Sequence, residues 1–303
     1  MTLDELKTFV VVAEAGGFTR ASAILHRSQP AVSRRIDMLE TALGASLFER
    51  QGRRISLTAA GRSLLPYAEE ALAAVEDGAR AVRESLARAD ETVSFAVVGT
   101  IADSYLVDVL RAFQATHENT RVDLQTANSR EVSELVRRGE ASLGIRYFPD
   151  PDARLETVPL GSERLYVVVG VDHPVASRRR KDLKAFAEDR WLGFPASRNA
   201  ETSYGSLLDT QLAAGGIAEP QVTTVDSLTA QKRLVEAGFG VALMPKRNVA
   251  DELRGGTLRL IDVESVTAQL PVVLIRRRGG QQGKSVAALT EMLQERIPML
   301  LDA

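Results

Sequence analysis

Between about residues 59 and 88, apolar side chains fall at Leu65, Ala68, Leu72, Val75, Ala79, Val82 and Leu86. The intervals alternate three and four, the rhythm of a heptad seam, and no polar residue interrupts it. Glu69, Glu70, Glu76, Asp77, Arg80, Arg83 and Glu84 take the other faces. Such a helix is about 45 Å long at ~1.5 Å per residue, too long and too polar to be buried within one small domain. It divides the 303-residue chain into a short head and a long body. Its expected partner is a second copy of itself, with Leu65, Leu72, Val75, Val82 and Leu86 as the dimerisation residues. Thr58 is placed to cap it, and Pro66, about one turn inside, bends it slightly.

The head reads as three helices and a hairpin. Leu3, Leu6, Phe9, Val10 and Ala13 recur at helical spacing until Gly16-Gly17 ends the run. A second helix fits Thr19 to Leu25 with Thr19 as its cap, and a third starts at Ser28. Pro30 is tolerated there because the first helical turn has no use for its missing N–H. Val32, Ile36, Leu39 and Leu43 form one stripe of that third helix, which leaves Pro30, Ser33, Arg34 and Asp37 facing the other way. Helix, helix, short turn, helix is the helix-turn-helix plan, whose last helix enters the major groove N-terminus first. Gln29 suits an adenine edge, Arg34 a guanine or a phosphate, and Pro30 a thymine methyl. Two extended runs, 47–50 and 54–57, then flank Gly52 and bring Arg50, Arg53 and Arg54 to a hairpin tip. Arginines at such a tip suit the narrow, electronegative minor groove. The alternatives at both places are bland, a solvated helix face and a turn that happens to be basic.

Charge is distributed to match. Residues 1–62 hold nine lysines and arginines against six acids, a net +3, while the whole chain is −2. A basic head on an acidic body suggests an anionic partner for the head alone.

After residue 91 the pattern changes. Apolar runs at 93–98, 122–126, 142–147, 164–169, 191–194, 222–225, 241–244, 258–261 and 272–276 read as strands. Helices fit 103–116, 130–138, 181–188, 203–214, 227–237, 246–253 and 284–299. The alternation predicts parallel α/β sheets with helices on both faces, split into two lobes. The junctions "VVGTIADSY", "QTANSREV", "LGFPASRNAETS" and "TTVDSLTAQ" each put small polar residues at a helix N-terminus, where backbone N–H groups can hold an anion. Convergence on a cleft between the lobes would make a pocket for a small acid, and Arg146 favours a carboxylate unless it only pairs with Asp150 or Asp152.

Several classes of function are disfavoured. There is no cysteine, hence no disulfide, thiolate metal site or thiol redox sensor. His26, His117 and His173 lie far apart. No P-loop, dinucleotide fingerprint, nucleophile elbow or zinc-protease motif occurs, so no cofactor, metal or catalytic residue is expected. No apolar run approaches ~20 residues, and the first residues read as an amphipathic helix and not a signal peptide. No membrane partner and a cytoplasmic location are the expectation.

The stretches "LKTFVVVAEAGGFTRAS", "SQPAVSRRIDMLETALGASLFER" and "SLTAAG" closely follow the head pattern of the LysR-type transcriptional regulators, which the chain resembles along its full length. "HPVA" and "GFGVALMP" are weaker markers in the body. Ser22 and Arg27 depart from the family's usual alanine and apolar residue at those positions.

The resemblance implies an α/β protein with an N-terminal winged helix-turn-helix (1–58), a long linker helix (59–90) and a C-terminal two-lobed, periplasmic-binding-protein-like effector domain (91–303). Lobe I is placed at about 91–161 and 266–303, lobe II at about 162–265. It implies DNA contacts from Ser28, Gln29, Pro30, Ser33, Arg34, Arg50, Arg53 and Arg54, and effector contacts from Thr100, Ile101, Asn128, Arg146, Phe194, Thr202 and Ser227. The implied partners are double-stranded DNA, a small co-inducer, further copies of the chain as a homodimer or homotetramer, and RNA polymerase for an activator. The competing expectation is a small-molecule binder or enzyme that uses its head only to oligomerise.

Overall fold

A computed structural model describes residues 1–51, 54–86, 91–102, 105–175, 179–196, 203–280 and 283–301. These residues fall into two compact units, one of the head and the long helix together with 134–141 and 279–283, the other of the remaining chain after the long helix.

In the head, α1 (Leu3–Ala15) opens with a capping box. The Thr2 N–H donates to Glu5 Oε2 at 2.8 Å and the Glu5 N–H to Thr2 Oγ1 at 3.3 Å. The second helix, α2 (Phe18–Ile24), is capped by Gly17 and not by Thr19, so it begins one residue earlier than the sequence suggests. The third, α3 (Gln29–Leu43), does begin after Ser28, but the Ser28 hydroxyl makes no capping bond. Leu6, Phe9, Val10, Val12, Ala21, Val32, Ile36 and Leu39 form one core with Leu47 and Ala68. Phe9 and Phe18 both pack on Phe48, with ring centroids 5.4 and 5.9 Å apart. The stripe fails at its last member, since Leu43 is exposed.

The hairpin joins β1 (Phe48–Gln51) to β2 (Arg54–Leu57) in antiparallel register. Glu40 of α3 fixes where it starts, its Oε1 accepting the N–H groups of Leu47 at 2.6 Å and Phe48 at 3.2 Å. Thr58 fixes where it ends, donating to the Ser46 carbonyl at 2.7 Å and accepting the Gly61 N–H at 3.0 Å.

Thr58 thereby caps α4 (Ala59–Leu86), the long helix. Leu65, Ala68 and Leu72 pack against the chain's own head core. Val75 and Val82 are 48% and 58% exposed. The seam is therefore divided, its first half packed within the head and its second half solvent-exposed at Val75 and Val82. The Leu86 side chain is outside the described residues.

The body carries β3 (Glu91–Val98), α5 (Gly99–Ala102), α6 (Leu106–Thr116), β4 (Thr120–Ala127), α7 (Ser129–Arg137), β5 (Leu143–Tyr147) and β6 (Leu155–Gly170). Then follow β7 (Arg179–Arg180), β8 (Arg190–Gly193), α8 (Tyr204–Ala214), β9 (Gln221–Thr224), α9 (Leu228–Glu236), β10 (Val241–Pro245), α10 (Ala250–Gly255), β11 (Leu258–Val263), β12 (Gln269–Arg277) and α11 (Lys284–Leu301). Residues 181–188, expected as a helix, hold only a short 3-10 turn over Leu183–Phe186.

The sheet is mixed, not parallel. Strands β4, β3 and β5 are parallel to one another, as are β9, β8 and β10, but β12 and β6 run antiparallel to their neighbours. From Leu155 to Arg164, β6 pairs with β12; from Leu165 onward it pairs with β10 and β11. One strand thus serves both lobes. The strand expected at 164–169 is thus the second part of a longer one, whose first part is interrupted by Pro159, Gly161 and Glu163. The register shifts between Val272 and Val273 of β12, where Leu160 of β6 is the extra residue between Pro159 and Gly161, and this bulge accommodates the interruption.

Candidate DNA interface and ligand cleft

On α3, Val32, Ile36 and Leu39 anchor one face in the head core, and that fixes the azimuth of every other side chain. Ser28, Gln29, Pro30 and Arg34 are exposed and Ser33 is half-buried. The adjacent Arg35 turns back: its guanidinium meets Asp4 Oδ2 at 3.0 Å and Thr8 Oγ1 at 3.5 Å. Arg34 and Arg35 therefore have separate tasks, one facing solvent and one tying α3 to α1. In the hairpin the last pair before the turn is Gln51–Arg54, with residue 50 one position back opposite Ile55; Arg53 and the side chains of Arg50 and Arg54 lie outside the described residues. Ser22 donates to the Thr19 carbonyl at 2.8 Å and Arg27 is exposed.

In the body, the C-terminal ends of the parallel strands of both lobes converge on a cavity of about 880 Å³. Open α/β sheets bind ligands at such ends, and the volume fits a small organic molecule. The segments after β3 (98–100), after β4 (126–131), at the end of β5 (146–148), after β8 (194–196) and before α9 (226–229) line it, with 203–205 at the start of α8. Gly205 is needed there, because a Cβ would press on the backbone of Phe194, Pro195 and Ala196 at 2.5 to 2.6 Å.

Thr100, Asn128, Arg146, Phe194 and Ser227 all line this cavity. Ile101 does not; its side chain is fully buried in the core. Thr202 lies outside the described residues.

The helix N-termini facing the cavity are held by their own caps. Asn128 Oδ1 accepts the N–H groups of Arg130 and Glu131 at 3.1 and 3.0 Å. Ser203 accepts the Ser206 N–H at 3.1 Å and Ser227 the Ala230 N–H at 3.3 Å. Side chains therefore take up first-turn donors that the sequence offered to an anion. Arg146 is likewise engaged, by Asp150, by Ser133 Oγ at 2.6 Å and by the Tyr147 carbonyl at 3.1 Å.

The floor is aromatic. Tyr147, Phe148, Phe194 and Tyr204 line the cavity, with Tyr204 5.8 Å from Tyr147 and 5.0 Å from Phe194 between ring centroids. Phe148 adopts a left-handed backbone, φ 61°, which is rare for a bulky side chain. Its N–H donates to the Pro271 carbonyl at 2.9 Å.

A hydrogen-bonded chain continues beneath. Thr100 Oγ1 donates to the Tyr147 hydroxyl at 3.2 Å, which donates to Glu163 Oε2 at 2.7 Å. Burial raises the Glu163 carboxyl to about 7, against the lowering effects of the Tyr147 bond and the Arg247 charge. Burial also holds Tyr147 and Tyr204 well above the ordinary phenol range. Sequence reading missed these groups. Tyr147 and Phe148 adjoin Arg146, a usable signal, whereas Glu163 meets them only through the pairing of distant strands.

A helix-turn-helix with an outward polar recognition face, a basic hairpin and a two-lobed cleft at strand ends together define a ligand-responsive DNA-binding regulator. Residues 3–62 match the family described as bacterial regulatory helix-turn-helix protein, lysR family, and residues 87–298 match the LysR substrate binding domain. The chain belongs to the LysR family of transcriptional regulators, which are not enzymes. The alternative of a small-molecule binder or enzyme that uses its head only to oligomerise does not fit a helix-turn-helix regulator family.

The Hca operon transcriptional activator HcaR of Escherichia coli strain K12 is 32% identical over 250 residues, covering 81% of this chain and 82% of HcaR. The crystal structure of CbnR, a LysR family transcriptional regulator, superposes with a TM-score of 0.62 at 27% identity, covering 97% of this chain and 98% of CbnR. CbnR in complex with its target DNA gives 0.60 at 27% identity, over 97% and 99% of the two chains. Among the described residues, no helix is long and apolar enough to cross a membrane.

Proposed function

We propose that the chain binds an inverted-repeat promoter site as a dimer of dimers and that a small carboxylate in the cleft adjusts how it does so. The observation that carries the DNA reading is the split of α3 into a buried stripe and a solvent face led by Ser28, Gln29, Pro30 and Arg34. Ser33 and the hairpin residues Arg50, Arg53 and Arg54 complete the proposed contact set. Paired heads follow from the open half of α4, where Val75 and Val82 extend the seam beyond the head core. A two-fold pair of heads matches an inverted repeat. The family resemblance supports the pairing of dimers, and RNA polymerase is the further partner if the regulator activates.

For the ligand, the aromatic floor suits an apolar or ring-shaped body, and Arg146 suits a carboxylate. Held by Asp150 and Ser133, the Arg146 guanidinium is preorganised, so little ordering entropy opposes binding. Ligand shifts the balance between assemblies that bend DNA differently.

A footprint on the DNA upstream of the chain's own gene, with gel-shift titrations at several salt concentrations, tests the DNA reading. Arg34→Ala loses about 1–3 kcal/mol if the side chain meets a base edge. Arg53→Ala flattens the salt dependence by about one unit of slope if it meets a phosphate. Unchanged affinity in both variants defeats the assignment. A thermal-shift screen of small carboxylates tests the ligand reading; an equal response in wild type and Arg146→Ala removes Arg146 from it.

A further inference from the structure

Glu163 is only 5% exposed, and it lies on the strand that serves both lobes. It pairs with Leu270 of β12, while Leu165, two positions on, pairs with Pro245 of β10. The carboxyl therefore sits where the chain leaves one lobe for the other.

Groups from both lobes surround it. Tyr147 of β5 donates to Oε2, and Tyr105, before α6, feels its charge. From the other lobe come Tyr204 of α8 and Arg247, just after β10, whose guanidinium lies 5.8 Å from the centre of the Tyr105 ring. Glu163 Oε1 and the Tyr105 hydroxyl are buried with no hydrogen-bond partner among the described residues. A neutral acid tolerates that setting. A carboxylate does not, because an unsatisfied buried charge calls for water or a cation.

We propose that Glu163 is a proton-operated latch between the two lobes: neutral, it lets them close over the Tyr147 bond, and ionised, it parts them so that water reaches the carboxylate. Burial outweighs both Arg247 and the Tyr147 bond in setting its proton affinity, which rises to about 7, so the closed form is the protonated one. Tyr147 and Thr100 link the latch to the cleft wall. Any ligand that favours closed lobes must by reciprocity favour proton uptake at Glu163. The latch itself needs no ligand, so its test stands apart from the ligand assignment.

The chain has no cysteine, so two can be introduced for spin labels without background. Glu118→Cys in one lobe and Glu219→Cys in the other are both at exposed positions. Labelled full-length chain is diluted into unlabelled chain, so that only distances within one chain are read by pulsed electron resonance as pH is varied. The distance should lengthen from acid to alkaline pH, with a midpoint between the ordinary carboxyl value of 4.5 and about 7. Glu163→Gln should hold the acid-side distance throughout. Tyr147→Phe and Arg247→Met each remove a group that favours ionisation, and each should raise the midpoint. A distance independent of pH, a shortening with pH, or a transition that survives in Glu163→Gln overturns the proposal.

Discussion

Arg34 and Arg35 are neighbours in sequence but ~100° apart around α3, and that angle leaves one facing solvent and turns the other back onto α1. Arg35, paired with Asp4 and partly exposed, supports the head by no more than about 1 kcal/mol. Arg35→Ala should therefore lower the melting temperature slightly and leave the contrast between specific and random DNA unchanged, which a gel shift beside a thermal melt will show. Glu163 offers a sharper test. Its carboxyl is raised from 4.5 to about 7 by burial. An acid whose proton affinity rises on folding adds stability that is complete below pH 4.5 and lost as pH climbs through about 7. Glu163→Gln should match wild type in acid and exceed it in alkali by up to about 3 kcal/mol. Denaturant melts across that range measure the difference, and a variant less stable than wild type at alkaline pH contradicts it.

Elements differ in how much of themselves they disclose. The recognition helix was legible because its stripe of Val32, Ile36 and Leu39 is local and uninterrupted. The seam of α4 was legible as a periodicity but not as a division, since nothing in the 3-4 rhythm says that Leu65 and Leu72 meet the chain's own head while Val82 is solvent-exposed. The hairpin anchor Glu40 reads as one more surface acid until the chain turns back on it. Gly61 likewise shows its necessity only in the fold, where a Cβ would press into the Leu47 carbonyl oxygen. Gly61→Ala should destabilise the head by about 1–3 kcal/mol through overpacking, visible as an early melting transition. Val82→Asp should instead leave the head intact and weaken self-association. Sedimentation of the variant at several concentrations reads this, and an unaltered dimer would remove Val82 from the seam.

At the scale of the whole molecule, the division into head, long helix and α/β body follows from three successive periodicities, so sequence carried it well. Strand direction did not, because an apolar run reads the same in either orientation and only the pairing of β6 with β12 and β10 shows two antiparallel strands. Cleft residues at strand ends, such as Thr100, Asn128 and Ser227, were recoverable because each follows a strand and opens a helix. Tyr204 and Glu163 were not, since they reach the site through contacts between distant parts of the body. The central claim is that the polar face of α3 selects a DNA sequence for a two-fold pair of heads. The most direct measurement is a footprint of the full-length chain, wild type and Arg34→Ala, on the region upstream of its own gene. The expected result is protection with two-fold symmetry that fades in the variant; uniform affinity for every duplex, with wild type and variant alike, would contradict it.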